Sequence, residues 1–479
     1  MTTTEGHMAG GESRVIVHGG QVVTAAGTGP IDVVIADGVV AELAAPGAAD
    51  RSGAELVDAS GLVVLPGVVD AHTHFIQDDP DLFDPDPDEH EGFEAGGRGA
   101  AAGGVTTVVE MPQARPPTVD GATFERKRAL ATPGAVVDFA LWGGVVQSTT
   151  AEQIDEQIGA GAAGLKAFMC NSDPSFPGVD DDRLLAALTH LAPTGLMLGV
   201  HAESDTLLEA GLARMQAEGR KDPLAHHDSR PPVVEVEAVS RAIVLAEAAG
   251  AWVHIVHLSC GAAADAVARA KARGVRVTCE TCPQYLALDH DDLARLGPFA
   301  RCAPPIRSRA DVEHLWERLA DGTIDCITTD HCAFTYESRT RGADDIFAAP
   351  NGLPGIETFV PVVVTEARAR GFGWDDIARW TATTPAALWQ LAPRKGAVAL
   401  GADADLALVD PARTWTIRGA DLHHTHKWTP FEGREVTGRV VRTLVRGTTV
   451  FRDGAADAAA PGSGRFIPAQ RRALEAATA

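Results

Sequence analysis

Residues 67 to 74 read Gly67-Val68-Val69-Asp70-Ala71-His72-Thr73-His74, an apolar run that ends in two histidines. Alternation along a strand sends residues i and i+2 to one side, so both imidazoles can face a single ion. A lone His-x-His is a weak signal. It gains force because Lys166, His201, His257 and Asp330 each stand at the end of a further apolar stretch. Imidazole is the commonest ligand for zinc-like ions, so His72, His74, His201 and His257, with the carboxylate of Asp330, are read as candidate metal ligands. His254 lies three residues before His257 and would face away from it on a strand. Glu203, two residues after His201, is a group that could orient that histidine, and His331 is a weaker neighbour of the same kind.

Outward from these runs the texture is regular. Strand-like apolar stretches alternate with Ala-, Glu- and Arg-rich helical ones, the mark of βα units on a parallel sheet. Eight candidate strands end near Asp70, Glu110, Trp142, Met169, Val200, His257, Cys279 and Asp330. The reading is an α/β chain whose residues 67–392 form a (β/α)8 TIM barrel, with the candidate ligands at the C-terminal ends of strands 1, 4, 5, 6 and 8, where such barrels keep their chemistry. Residues 13–66 and 393–455 show a different pattern. Runs such as Val15-Ile-Val, Asp32-Val-Val-Ile, Asp405-Leu-Ala-Leu-Val and Val440-Val-Arg-Thr-Leu-Val are broken by turns, Asp37-Gly38 among them. They predict one small β-sandwich domain built from both ends of the chain. The polar stretch from Arg214 to Pro232 reads as a long βα loop. The Ala/Gly/Pro-rich tail, 456–479, reads as loosely packed.

Composition narrows the function. The 479 residues are 45% hydrophobic and 22% charged, the profile of a soluble globular enzyme. A net charge of -24 argues against nucleic acid or an anionic membrane as partner, since either would want a basic patch. The first residues, Met1 to Met8, carry no basic-then-apolar leader, and no apolar run reaches membrane-spanning length. Seven cysteines, an odd number, read as reduced thiols, which together predicts a cytoplasmic protein. Cys279-x-x-Cys282 lacks a second pair at zinc-finger spacing and reads as structural.

Lys166 is the unusual member. It lies in Gly164-Leu-Lys-Ala-Phe-Met, where its neighbours read as buried strand. An ammonium there is costly unless it is paired, neutralised or modified. Beside metal ions a neutral amine can take up CO2 and become a carbamate, whose two oxygens can bridge two cations. Without that bridge, four histidines and an aspartate hold one metal more naturally than two. A lysine reaching to the rim, or a Schiff-base lysine, are the other readings.

Together these residues resemble the amidohydrolase superfamily, in its cyclic-amide branch of allantoinases, hydantoinases, dihydropyrimidinases and dihydroorotases. The motifs that carry the resemblance span most of the chain: Asp70-Ala-His-Thr-His-Phe, Gly104-Val-Thr-Thr-Val-Val-Glu-Met-Pro, Gly164-Leu-Lys-Ala-Phe-Met, Val200-His-Ala-Glu, Ile255-Val-His-Leu-Ser, Glu280-Thr-Cys-Pro-Gln-Tyr-Leu and Cys302-Ala-Pro-Pro-Ile-Arg. The resemblance implies two divalent ions per subunit, Zn2+ first, with Mn2+, Fe2+ or Co2+ as alternatives. His72, His74 and Asp330 would hold one, His201 and His257 the other, and a CO2-derived carbamate on Lys166 would bridge them. It also implies hydroxide attack on a ring carbonyl, with Asp330 as general acid and base, and a homo-oligomer, a tetramer by family habit.

Within the branch, Trp142-Gly-Gly, Cys170-Asn-Ser, Ser229-Arg-Pro-Pro-x-x-Glu-x-Glu-Ala and His426-Lys-x-Thr-Pro-Phe-Glu-Gly look most like allantoinase. The expected substrate is therefore a small cyclic ureide, allantoin opened to allantoate. Another cyclic imide, as in hydantoinases and dihydropyrimidinases, is the alternative. Asn351 and the backbone near Ala303 match that group's ring contacts. Dihydroorotases place an arginine two residues after the second histidine, and here that position is Ile76. The acidic stretch from Asp78 to Glu91 departs from the family pattern. A one-metal aminohydrolase on the same barrel and a non-catalytic assembly protein are the readings from other classes. The lysine motif speaks against the first and the filled ligand positions against the second.

Overall fold

The computed structural model describes residues 14–84, 91–171, 173–454 and 460–470. Eight parallel strands carry the middle of the chain: β1 (Val68–His74), β2 (Val105–Glu110), β3 (Asp138–Leu141, resuming at Gly143–Gly144), β4 (Leu165–Phe168), β5 (Leu198–His201), β6 (Val253–Ile255), β7 (Val277–Thr281) and β8 (Cys326–Ile327, resuming at His331–Cys332). Each pairs in parallel with the next, and the second part of β8 pairs with β1, so the run of pairings returns to its start. Their residues are buried on both faces, as β2 illustrates along its whole length. That explains why they read as continuous apolar runs rather than alternating ones.

Several of the helices that follow the strands are started by side-chain caps. Thr150 accepts a bond from the Gln153 backbone N–H at 3.2 Å, while the Gln153 side chain accepts from Thr150 N at 2.9 Å. This reciprocal box starts the helix Ala151–Ala160, and Gly161 ends it in the left-handed region at φ 101°.

Two further sheets gather the chain ends. One orders Val39–Ala44, Asp32–Ala36, Arg14–His18 and Glu55–Asp58. The other orders Thr448–Arg452, Glu435–Val445, Leu406–Thr416, Val63–Pro66, Gln21–Thr24 and Gly27–Pro30, so it draws strands from both ends. Val15, Val33 and Val57 of the first sheet share one apolar cluster with Val64, Leu406 and Leu444 of the second. The run beginning at Asp405 continues as one long strand to Thr416, with register shifts in its pairing.

Two expectations are corrected. The stretch from Arg214 to Pro232 is largely helical rather than one long loop: it takes in the end of Asp205–Ala217, all of Pro223–Ser229 and the start of Pro232–Ala249, joined by short turns at 218–222 and 230–231. Pro223 and Pro232 stand at first helical positions, where the missing N–H costs nothing, Pro231 precedes the third helix as its cap residue, and the Asp222 side chain caps the middle helix. The tail is not loose where it is described. Phe139 N donates to Arg465 O at 2.9 Å, Ile467 N donates to Phe139 O at 2.7 Å, and the Phe466 ring packs against Phe139 and Phe124. Aromatic burial against β3 outweighs the disorder suggested by composition. Residues 456–459 and 471–479 of the tail, 85–90 of the acidic stretch, Ser172 and the chain start through residue 13 lie outside the described residues.

Candidate metal centre

All the predicted ligands come to one cavity of about 600 Å3, which His72, His74, Lys166, His201, His257 and Asp330 line. Strand alternation does this on β1, as expected, since His72 Nε2 and His74 Nε2 both reach Asp330 Oδ1, at 3.1 and 3.2 Å. Register does it across β4 and β5. Phe168 pairs with His201, their rings stack at 4.8 Å, and Lys166 lies opposite Gly199. His201 Nδ1 then stands 2.9 Å from His257 Nε2. Asn351 and Ala303 line the same cavity.

Two positions are held by unusual backbone. His257 and Asp330 adopt φ of 39° and 53°, and Ile76 adopts 47°. Non-glycine residues in the left-handed region cost about 1–3 kcal/mol each and persist where surrounding structure over-determines them. Here carboxylates do so. Asp70 accepts from Thr329 N at 3.0 Å, tying β1 to the segment that carries Asp330. Glu110 accepts from Thr73 Oγ1 at 2.8 Å and from the N–H groups of Phe75 and Ile76 at 3.0 and 3.1 Å, which fixes the chain just beyond His74.

A second set of carboxylates fixes the rings. Glu280 bonds His72 Nδ1, leaving Nε2 for the cavity. Glu203 lies 2.8 Å from His201 Nε2 and is itself held by Arg230 at 2.6 Å, so His201 turns Nδ1 inward. Such partners set the tautomer and raise the basicity of a metal-binding imidazole. Glu203 was legible from its spacing. Glu110 and Glu280 were quoted only as parts of motifs, and their roles depend on strands distant in sequence. His254 turns away from the cavity to Thr278 and Glu280. His331 also faces elsewhere: its Nε2 meets Glu91 at 2.8 Å while its Nδ1 accepts from Gly355 and Ile356 N–H groups.

The electrostatics are those of a cation site. Burial lowers His72, yet the charges of Asp330 and Glu280 outweigh it and push the ring up to about 9. Burial would raise Asp330, but the positive His72 holds it well below the usual carboxylate range. Burial, with His201 and Lys166 adding repulsion, drives His257 well down. Burial pulls Lys166 down to about 7 despite the opposing pull of Asp330 and Glu280. Its Nζ is buried without a hydrogen-bond partner, and lies 4.8 Å from the Phe168 ring centroid.

These donors fit divalent ions. The nitrogen and oxygen atoms of His72, His74 and Asp330 all lie within 4.8 Å of one another. The two histidine nitrogens lie 3.1 and 3.2 Å from the Asp330 oxygen, close to the ~3.3 Å edge of a tetrahedral shell with bonds of ~2.0–2.1 Å. The orphaned amine of Lys166 fits a group awaiting a partner. Cys170, His201 and Glu203 form another close set, but Glu203 is engaged by Arg230. Ile76 packs with Cys332 and Phe334 in an apolar cluster, so the position two residues after His74 offers an alkyl side chain where dihydroorotases are expected to place an arginine.

Comparisons with known proteins give the family. The amidohydrolase family model matches residues 63–450. A protein named allantoinase from Rubrobacter xylanophilus is 42% identical over 461 residues, 95% of this chain and 98% of its own. One named L-hydantoinase from Paenarthrobacter aurescens is 36% identical over 442 residues, 92% of this chain and 95% of its own. Among solved structures, the L-hydantoinase (dihydropyrimidinase) of Arthrobacter aurescens superposes with a TM-score of 0.89 at 34% identity, covering 95% of this chain and 99% of that one. By the extent of these matches and the residues that line its cavity, the chain belongs to the amidohydrolase family.

Proposed function

We propose that this protein is a metal-dependent hydrolase that opens a cyclic ureide, allantoin to allantoate. The observation that carries the two-metal form of this reading is Lys166, a buried amine without a partner among histidines and an aspartate. A one-metal aminohydrolase has no use for it. Relatives named allantoinase, from Rubrobacter xylanophilus and Solibacter usitatus, support the substrate. The returning order of strand pairings supports a (β/α)8 barrel over 67–392. The apolar cluster shared by the two terminal sheets supports a β-sandwich from 13–66 and 393–455.

His72, His74 and Asp330 would hold one divalent ion and His201 with His257 the other, while Lys166, as its carbamate, would bridge them. Zinc suits this nitrogen and oxygen set best. Bound ions would supply Lewis acidity, polarising the ring carbonyl and making water acidic near neutral pH. The chain's own residues do the rest. Asp330 takes a proton from the attacking water and delivers it to the departing ring nitrogen. Glu280 and Glu203 keep two imidazoles in the required tautomers. Asn351 and the backbone at Ala303 orient the ring, and Phe168, Phe334 and Phe347 form apolar wall that limits water. In this reading the enzyme works in the cytoplasm as a homotetramer.

A hydantoinase-type reaction is the second reading, favoured by the apolar cluster of Ile76, Cys332 and Phe334 at the cavity, which suits an alkyl or aryl substituent. The test is a panel of allantoin, hydantoin, dihydrouracil and dihydroorotate on metal-replete protein. Allantoin should be opened with the highest kcat/KM and each chain should carry two ions. Preference for an alkyl hydantoin would install the second reading. One ion per chain would overturn the binuclear site.

A further inference from the structure

Arg307 and Arg230 pair with carboxylates and Arg339 donates to three carbonyls, whereas Arg301 on the cavity wall makes one long contact. Arg307 meets Glu235 at 3.2 Å and Ser259 Oγ at 3.0 Å. Arg230 meets Glu203. Arg339 donates to the carbonyls of Pro298, Arg301 and Pro350. Arg301 is 8% exposed and lines the cavity, yet its Nε has no partner and its Nη1 makes only a 3.4 Å contact with Phe347 O. Among the described residues no carboxylate lies within ion-pair distance of it. The negative charge that reaches it most, Asp345, is engaged by Lys221 at 2.9 Å. Burial and the neighbouring Arg230 bring its guanidinium down to about 10, so it stays charged at neutral pH.

A buried guanidinium without a counter-charge is costly, and a fold keeps one where something else completes it. Its position says what that is. Arg301 lies two residues before Ala303, and its own carbonyl accepts from Gly352 N at 3.2 Å, next to Asn351. It therefore stands on the side of the cavity that would grip the ring rather than among the metal ligands.

We propose that Arg301 is a further substrate-binding residue: its guanidinium donates to the urea carbonyl of the bound ring and stabilises negative charge that gathers there during ring opening. This rests on the ureide reading above. Water oxygen bonds to the scissile carbonyl carbon and the ring C–N bond breaks. The electron pair of that bond goes to nitrogen and is shared by conjugation with the adjacent urea carbonyl oxygen. Nitrogen then takes one water-derived proton through Asp330 and becomes the terminal nitrogen of the ureido group, while the second proton leaves to solvent and the acyl half ends as a carboxylate. Donors fixed where charge develops act most strongly in a water-poor cavity.

The test compares wild type with Arg301→Ala and Arg301→Lys on hydantoin and allantoin, with metal content and melting temperature measured alongside. Arg301→Ala should lose about 10- to 100-fold in kcat/KM, chiefly in kcat, with metals and stability retained. Millimolar ethylguanidinium should restore part of that turnover, and Arg301→Lys should fall between the two. Activity within about threefold of wild type, or a loss that guanidinium leaves unrelieved, overturns the inference. A wild type that opens no ureide removes the functional reading and the inference with it. A wild type that turns over beside an unaffected Arg301→Ala removes the inference alone.

Discussion

Lys166 and Lys395 are both buried amines, and their surroundings are opposite. Lys395 stands among Asp138, Asp403 and Asp405, with Nζ 2.5, 2.8 and 2.7 Å from their oxygens. Burial would lower it, but the charges of Asp405 and Asp138 outweigh this and raise it above the usual lysine range. It ties β3 to the segment leading into Leu406–Thr416, and so fastens the parallel strands to the terminal sheets. Lys166 has the same desolvation and no bonding partner, and burial brings it to about 7. Burial alone does not decide what a lysine does. Carboxylates in contact keep Lys395 charged, whereas Lys166, without one in hydrogen-bond contact, is brought close to neutrality.

The largest expected effect falls on Lys166→Ala. Turnover of the preferred ureide should drop about a thousandfold or more, and elemental analysis should find fewer than two ions per chain. Full activity with two ions bound would erase the distinction between the lysines. Next comes Lys395→Met, which strands three buried carboxylates. Denaturant unfolding should show about 3–5 kcal/mol lost, whereas Lys166→Met should cost the metal-free protein little or stabilise it. Equal losses in the two variants would make the contrast one of packing rather than charge. Because the folded-state value of Lys395 is raised, its contribution is complete below the unfolded lysine value and fades only in strong alkali. It should therefore be flat across neutral pH.

The smallest effect sharpens the same contrast. Only neutral Lys166 can add CO2, and the neutral fraction of a group near 7 rises about tenfold from pH 6 to pH 8. Metal uptake by stripped protein should accelerate over that range in a bicarbonate-dependent way, and Lys166→Ala should show no such dependence. In the metal-free protein the sign of stability follows too. Between about 7 and the unfolded lysine value the unfolded chain binds more protons, so stability gained at this position rises with pH. A rate of uptake indifferent to bicarbonate would count against the carbamate.

The candidate ligands were legible because strand periodicity and strand ends are local properties. His72 and His74 follow from alternation, and Lys166 from a charge inside an apolar run. Of the carboxylates behind them, Glu203 was legible from its spacing, while Glu280 and Glu110 were not legible in their roles. Glu280 meets His72 from 208 positions away, and Glu110 meets Thr73 from 37, distances that only the pairing of β1, β2 and β7 within the whole round of strands converts into contact. Arg301 was missed for another reason. Its signal is a missing partner, and a sequence does not show what a side chain fails to meet. The helical Arg214 to Pro232 stretch was misread because proline marks a helix start as readily as a break.

The left-handed backbone at His257 and Asp330 has a consequence for how this protein can change. Glycine would sit at either position without steric conflict, while histidine and aspartate give up about 1–3 kcal/mol each to be there. Selection for robustness alone would drift toward glycine at both places and dissolve the cavity's chemistry on the way. On the proposed metal-binding reading, a descendant that kept this shape for some other purpose should therefore shed these two side chains early.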